Sequence, residues 1–151
     1  MRILGLDIGD KRTGVALSDP LGLTAQGLGF IEATGVDSLV EKVARLVKER
    51  EVSTVVVGLP RNMDGSLGER AARSSKVARR LKEAAGVDVV LWDERLTTCQ
   101  AERVLIDADL SRRRRKEVVD MTAAVLMLQA YLDRLRAEER NEKPHEETTM
   151  D

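Results

Sequence analysis

A chain of 151 residues with 42% apolar and 34% charged side chains has the size and balance of one globular domain with a heavily ionised surface. No apolar run approaches the roughly 20 residues that a membrane-spanning helix needs, and Met1-Arg2-Ile3 enters strand-like sequence without a signal-peptide pattern, so a cytoplasmic protein without a membrane partner is expected. One cysteine, one histidine (His145, in the tail) and three aromatics exclude a Cys-rich zinc site, a Ser-His-Asp triad and a base-stacking aromatic platform.

In chain order, Arg2–Ile8 reads as a buried strand that Asp7 interrupts, and Gly9-Asp10-Lys11-Arg12 as the turn into a second strand, Thr13–Ser18. Thr24–Ile31 fits a third strand, weakened by Gly27 and Gly29. Ser38-Leu39-Val40-Glu41 has the form of a capping box and predicts a helix to about Arg50, with Leu39, Val40, Val43, Leu46 and Val47 inward. The Val-rich Ser53–Leu59, stopped by Pro60, predicts a central strand. A second capping box, Ser66-Leu67-Gly68-Glu69, opens a helix to about Ala85. Val87–Trp92 is a further strand, with Trp92 read as core, and Thr97-Thr98-Cys99-Gln100 opens a short helix to about Ala108. A basic loop then leads into a helix from about Lys116 to Arg136. The pattern predicts an α/β fold: a mixed five-stranded sheet, part antiparallel meander and part parallel, flanked by helices. Residues 1–136 form the expected domain and 137–151 an acidic, disordered tail.

The net charge of −1 hides segregation. Residues 137–151 carry six acids and two bases, whereas residues 1–136 carry 23 bases and 20 acids, a net of +3. Residues 61–82 hold seven bases against two acids, and Arg112-Arg113-Arg114-Arg115-Lys116 is uninterrupted. Blocks of this kind mark solvated faces or contacts with polyanions.

Three acids stand where apolar residues belong. Asp7 lies inside the first strand, and Asp120 is the only charge in the stretch from Val118 to Leu128. An ionised carboxylate in such a place needs a cationic partner or a metal. Asp93-Glu94 ends the last apolar strand, where ligands of open α/β sheets gather. Strand alternation sends the two side chains to opposite faces without saying which one enters a site. Carboxylates without His or Cys neighbours suit hard divalent ions, Mg²⁺ or Mn²⁺, which clamp and hydrolyse phosphodiesters.

Ile3-Leu4-Gly5-Leu6-Asp7-Ile8-Gly9 with Thr13-Gly14-Val15-Ala16 resembles the opening of the YqgF/RuvX family of pre-16S ribosomal RNA nucleases and Holliday junction resolvase-like proteins. So do Val57-Gly58-Leu59-Pro60, Asn62-Met63-Asp64-Gly65, Asp93-Glu94-Arg95-Leu96-Thr97-Thr98, and Asp120 with Ala123-Ala124. The motifs fall in the family's order over about residues 1–135. The resemblance implies a ribonuclease H-like fold and a metal-dependent nuclease with Asp7, Glu94 and Asp120 as catalytic acids and metal ligands. It selects Glu94 over Asp93, which alternation leaves open.

Candidate substrate contacts are Arg12 and Arg95 near the acids, the row Arg70, Arg73, Lys76 and Arg80 on the helix from Glu69, and Arg112, Arg113, Arg114, Arg115 and Lys116 ahead of Asp120. The expected substrate is structured nucleic acid, a 16S ribosomal RNA precursor first and branched DNA second. Two rivals are a non-catalytic RNA-binding assembly factor and an actin-like ATPase or sugar kinase, for which Leu6-Asp7-Ile8-Gly9 with Thr13-Gly14-Val15 would be a phosphate-binding hairpin. Monomer and homodimer stay open.

Overall fold

The computed structural model describes residues 2–60, 67–97 and 112–142, with side chains in the last segment described from residue 121 to residue 141. Five strands, β1 (Arg2–Ile8), β2 (Arg12–Ser18), β3 (Ala25–Glu32), β4 (Val52–Leu59) and β5 (Asp88–Asp93), form one sheet in the order β3-β2-β1-β4-β5. The pairs β1–β2 and β2–β3 are antiparallel, and β1–β4 and β4–β5 are parallel. The predicted mixed sheet is therefore present, with its parallel strands ending on one side.

Side-chain alternation divides the core into two layers. Leu4, Leu6, Ile8, Val15, Leu17, Val55 and Val57 face α1 (Val36–Glu49) and α2 (Glu69–Ala85), meeting Leu39, Val43, Val47, Val77 and Leu81. On the other face Ala16, Val56 and Trp92 meet Ala124, Met127, Leu128 and Leu132 of α3 (Arg112–Glu142). A β-carbon on Gly5 would lie 3.0 Å from the Leu128 β-carbon, so the glycine in β1 sets how closely α3 approaches the sheet. No helix among the described residues is long and apolar enough to cross a membrane.

Three local expectations are corrected. α1 starts at Val36, after Gly35, and has no side-chain cap, so Ser38 lies inside the helix. Val36 packs against the core and Asp37 favours the positive helix end, which together draw the start forward. α2 starts at Glu69 after Gly68, again without a side-chain cap, and Ser66 lies outside the described residues. The basic run from Arg112 to Lys116 is the first part of α3, not a loop, and α3 continues past Arg136 to Glu142. No Gly or Pro interrupts 112–142, and Arg, Lys and Glu are good helix formers. Repulsion along such a face is worth only tenths of a kcal/mol per pair, and an Arg134–Glu138 ion pair at 3.5 Å supports the later turns. The short helix expected over about 97–108 lies outside the described residues, Thr97 apart.

Candidate active site

The site begins where β1 and β5 end. Leu6 and Ile8 point to the α1–α2 layer, so the intervening Asp7 points to the α3 side, beyond Gly5. Trp92 of β5 also faces α3, and Glu94, two residues on, opens a single 3-10 turn, Glu94–Leu96. Asp93 builds that turn. It accepts the Arg95 backbone N–H at 3.0 Å and the Arg95 guanidinium at 2.7 Å. With Asp93 occupied in this way, Glu94 meets Asp7, and the two carboxyl groups share a hydrogen bond.

Burial is the largest cause that pushes the Glu94 carboxyl up to about 8, followed by the hydrogen bond and the charge of Asp7; the Arg70 guanidinium opposes the shift. One proton therefore sits between the two acids at neutral pH. Gly58, beside β5 on the central strand β4, makes room for Glu94: a β-carbon there would lie 2.6 Å from Glu94 Oε1 and 2.9 Å from Met127 Sδ.

The surroundings hold this end of the sheet in place. Arg70 Nη2 donates to the Ile8 carbonyl at 3.2 Å, and Arg73 Nη1 donates to the Gly9 carbonyl at 3.3 Å, tying α2 to the chain just beyond Asp7. Trp92 Nε1 donates to Thr97 Oγ1 at 3.1 Å, which fixes the segment leaving the 3-10 turn. The same indole stands edge-on to Tyr131 at 5.9 Å and lies under Arg134, so β5 is keyed to α3.

The basic candidates separate. Arg73 lies beside the β1–β2 turn, 3.6 Å from Asp10. Arg80 pairs with Asp37 at the start of α1, away from the acid pair. Lys76 is exposed on α2, Arg95 is bound to Asp93, and Arg12 lies over the Phe30 ring at 5.3 Å. Asp120 is in α3, but its side chain, like those of Arg112 to Lys116, lies outside the described residues. Among the described residues no cluster of three or more His, Cys, Asp or Glu is placed to hold a metal. Two residues gain a sharper place than sequence reasoning gave them. Arg70, read only as one of a basic row, acts on Glu94, and Gly58, part of a motif, shapes its pocket. A glycine inside a Val-rich central strand is the signal that marks such a close approach.

The family model RuvX, Holliday junction resolvase, matches residues 1–134. A protein of Pelotomaculum thermopropionicum named as a pre-16S rRNA nuclease is 56% identical over 134 residues, covering 88% of this chain and 87% of that protein. A Shouchella clausii protein of the same name is 54% identical over 136 residues, covering 89% and 96%. Among solved structures, Thermus thermophilus RuvC in complex with a Holliday junction substrate matches with a TM-score of 0.53 at 15% identity, over 89% of this chain and 96% of that one. The fowlpox virus Holliday junction resolvase matches with a TM-score of 0.55 at 13% identity, over 89% and 99%. These two likenesses show the fold, which is ribonuclease H-like. With more than half of the aligned residues identical to those relatives and the family pattern matched across its body, the chain belongs to the RuvX family of nucleases.

Proposed function

We propose that this nuclease cuts structured RNA, the 16S ribosomal RNA precursor foremost, in the cytoplasm, and that Asp7, Glu94 and Asp120 are its catalytic acids. The observation that carries the reading is the Asp7–Glu94 pair at the carboxyl ends of parallel strands. The names of the bacterial relatives support the RNA substrate. Branched DNA is the second reading, favoured by the family description and by a neighbour of the same fold held on a Holliday junction.

The donor set fits a divalent cation. Two carboxyl groups with a proton trapped between them form a site whose repulsion a cation relieves, and all the oxygens are hard ligands. Mg²⁺ or Mn²⁺ would be held by Asp7 and Glu94, with Asp120 of α3 completing the set. Such an ion, when bound, supplies Lewis acidity toward the phosphate and an activated water. The chain's own residues do the rest. Glu94 gives up its proton to open the site. Arg70 offsets the negative charge of the pair, and Gly58 and Asp93 set where the Glu94 carboxylate stands. Arg12, Arg73, Lys76, Arg95 and the residues from Arg112 to Lys116 are proposed to carry the strand, the last group entering along α3.

The test is a panel of precursor ribosomal RNA, single-stranded RNA and a four-way DNA junction, each with Mg²⁺, Mn²⁺, Ca²⁺ or EDTA. Cleavage of the precursor with Mg²⁺ or Mn²⁺ and none in EDTA is expected, with Ca²⁺ supporting little turnover. Full activity in EDTA would remove the metal reading, and cleavage of the junction alone would replace the substrate.

A further inference from the structure

Of the three aromatic rings in the chain, two face each other: Trp92 and Tyr131 stand edge-on at 5.9 Å, between β5 and α3. The third, Phe30 on β3, belongs to neither layer of the described core and is 39% exposed. Exposure alone says little about a single apolar side chain; its place says more. Ile31, the next residue, packs with the α1–α2 layer, so Phe30 points to the opposite face, the α3 side to which Asp7 also points. The register puts the two in one row, since Asp7 pairs with Gly14 and Gly14 with Phe30. Gly14 brings no side chain between them.

The two backbones are two strand spacings apart, roughly 10 Å. Roughly one to three nucleotides bridge that distance, three when stacked at their ~3.4 Å rise and fewer when extended. Arg12, two residues before Gly14 on the same face, lies over the Phe30 ring at 5.3 Å. Glu32 stands opposite Arg12 on β3 and offsets its charge. Phe30 and Arg12 therefore offer a strand a flat, polarisable surface more than a phosphate clamp.

We propose that Phe30, with Arg12 over it, is where one unpaired base beside the scissile phosphate stacks. Unpaired bases stack on aromatic rings and on guanidinium planes alike, with little regard to sequence. One ring is too little for a platform that binds several bases, and enough to hold one. A base inside a continuous duplex reaches the ring only by leaving its stack. The station thus selects RNA that is unpaired beside the cut, at a loop, a bulge or the edge of a stem. This assignment rests on Asp7 and Glu94 being the cutting site.

Phe30 is the chain's single phenylalanine, so ring-labelled phenylalanine gives one set of signals that identifies itself. The full chain is titrated in Ca²⁺ with a short RNA that has a single-stranded stretch beside a stem, and with a continuous RNA duplex of the same length. A saturable upfield shift of the ring with the first and none with the second is expected. Removing one base at a time along the RNA should abolish the shift at one position, within about three nucleotides of the bond that is cut in Mg²⁺. Phe30→Ala and Phe30→Leu should each raise KM roughly five- to fiftyfold with little change in kcat, and Phe30→Trp should restore it. Leucine keeps apolar bulk without a π face, so that variant, checked by its melting temperature, separates stacking from folding. A bound RNA that leaves the ring unshifted, equal shifts with the duplex, a decisive base far from the cut, or a Phe30→Leu KM equal to the parent's would overturn the proposal. Glu94→Gln keeps the two readings apart. It should stop cleavage and leave the ring shift in place, whereas a Glu94→Gln enzyme that still cuts removes the acid assignment and not the stacking.

Discussion

The proton held between Asp7 and Glu94 makes metal-free stability depend on pH in an unusual direction for an acid. An ordinary glutamate titrates near 4.5, and Glu94 is pushed up to about 8 mainly by burial and by Asp7. Its folded-state affinity for the proton exceeds its unfolded one, so its contribution to stability is complete below about 4.5 and is lost as pH rises toward 8. Thermal melts in EDTA should therefore fall over that window, and Glu94→Gln should flatten the fall and melt higher than the parent near pH 8.5. The same variant should lose metal-dependent cleavage. Asp93→Asn should be much milder in activity, because Asp93 serves the 3-10 turn through Arg95; equal losses in the two variants would sink the division of labour between them.

At the scale of elements, the approach of α3 to the sheet decides both stability and site geometry. Gly5→Ala drives a β-carbon to 3.0 Å from the Leu128 β-carbon, close to the helix backbone, which can yield only by moving α3. A loss of about 1–3 kcal/mol is expected, read by urea denaturation. Gly58→Ala instead meets the ends of two flexible side chains, Glu94 Oε1 and Met127 Sδ. These can swing aside, so stability should fall less than in Gly5→Ala, while cleavage should drop steeply because Glu94 leaves its place beside Asp7. A Gly58→Ala variant that unfolds more readily yet cuts normally would contradict that role. In α2, Ser74 is fully buried and its hydroxyl has no partner among the described residues. Ser74→Ala should keep or raise stability, by up to about 1 kcal/mol on the same denaturation curve.

For the molecule as a whole, charge segregation is the property that a polyanion reads. The basic run lies in α3, about one to two helical turns ahead of Asp120, so under the proposed function a backbone held there would be delivered toward the acids. Each phosphate contact adds roughly 0.7–0.9 to the slope of log affinity against log salt. Replacing Arg113 and Arg114 with alanine should flatten that slope by about one to two units and weaken binding, with little change in sequence preference. Turnover at saturating substrate should fall much less. An unchanged slope would reduce the run to a solvated face and move the contact to α2, where Arg70 and Arg73 lie beside the end of β1.

The sequence by itself determined the sheet, because its signals are short-range: period-two apolar patterning in β1 and β2, Val-rich β4 halted by Pro60, and the 3.6-residue period of α1. It also marked Asp7 and Asp120 as misplaced charges, since a carboxylate in an apolar run is conspicuous without coordinates. Helix starts were less legible. At Val36 and Glu69 the chain begins its helices after a glycine, where packing and first-turn charge outweigh the capping boxes. Only the tertiary structure decided which of Asp93 and Glu94 meets Asp7 by geometry, because that depends on β1 and β5 lying on either side of β4 and on the 3-10 turn that Asp93 ties. The places of Arg70 and Gly58 were decided there too. Their significance lies in contacts across 24 to 69 positions of sequence, and no local pattern encodes the register that creates them.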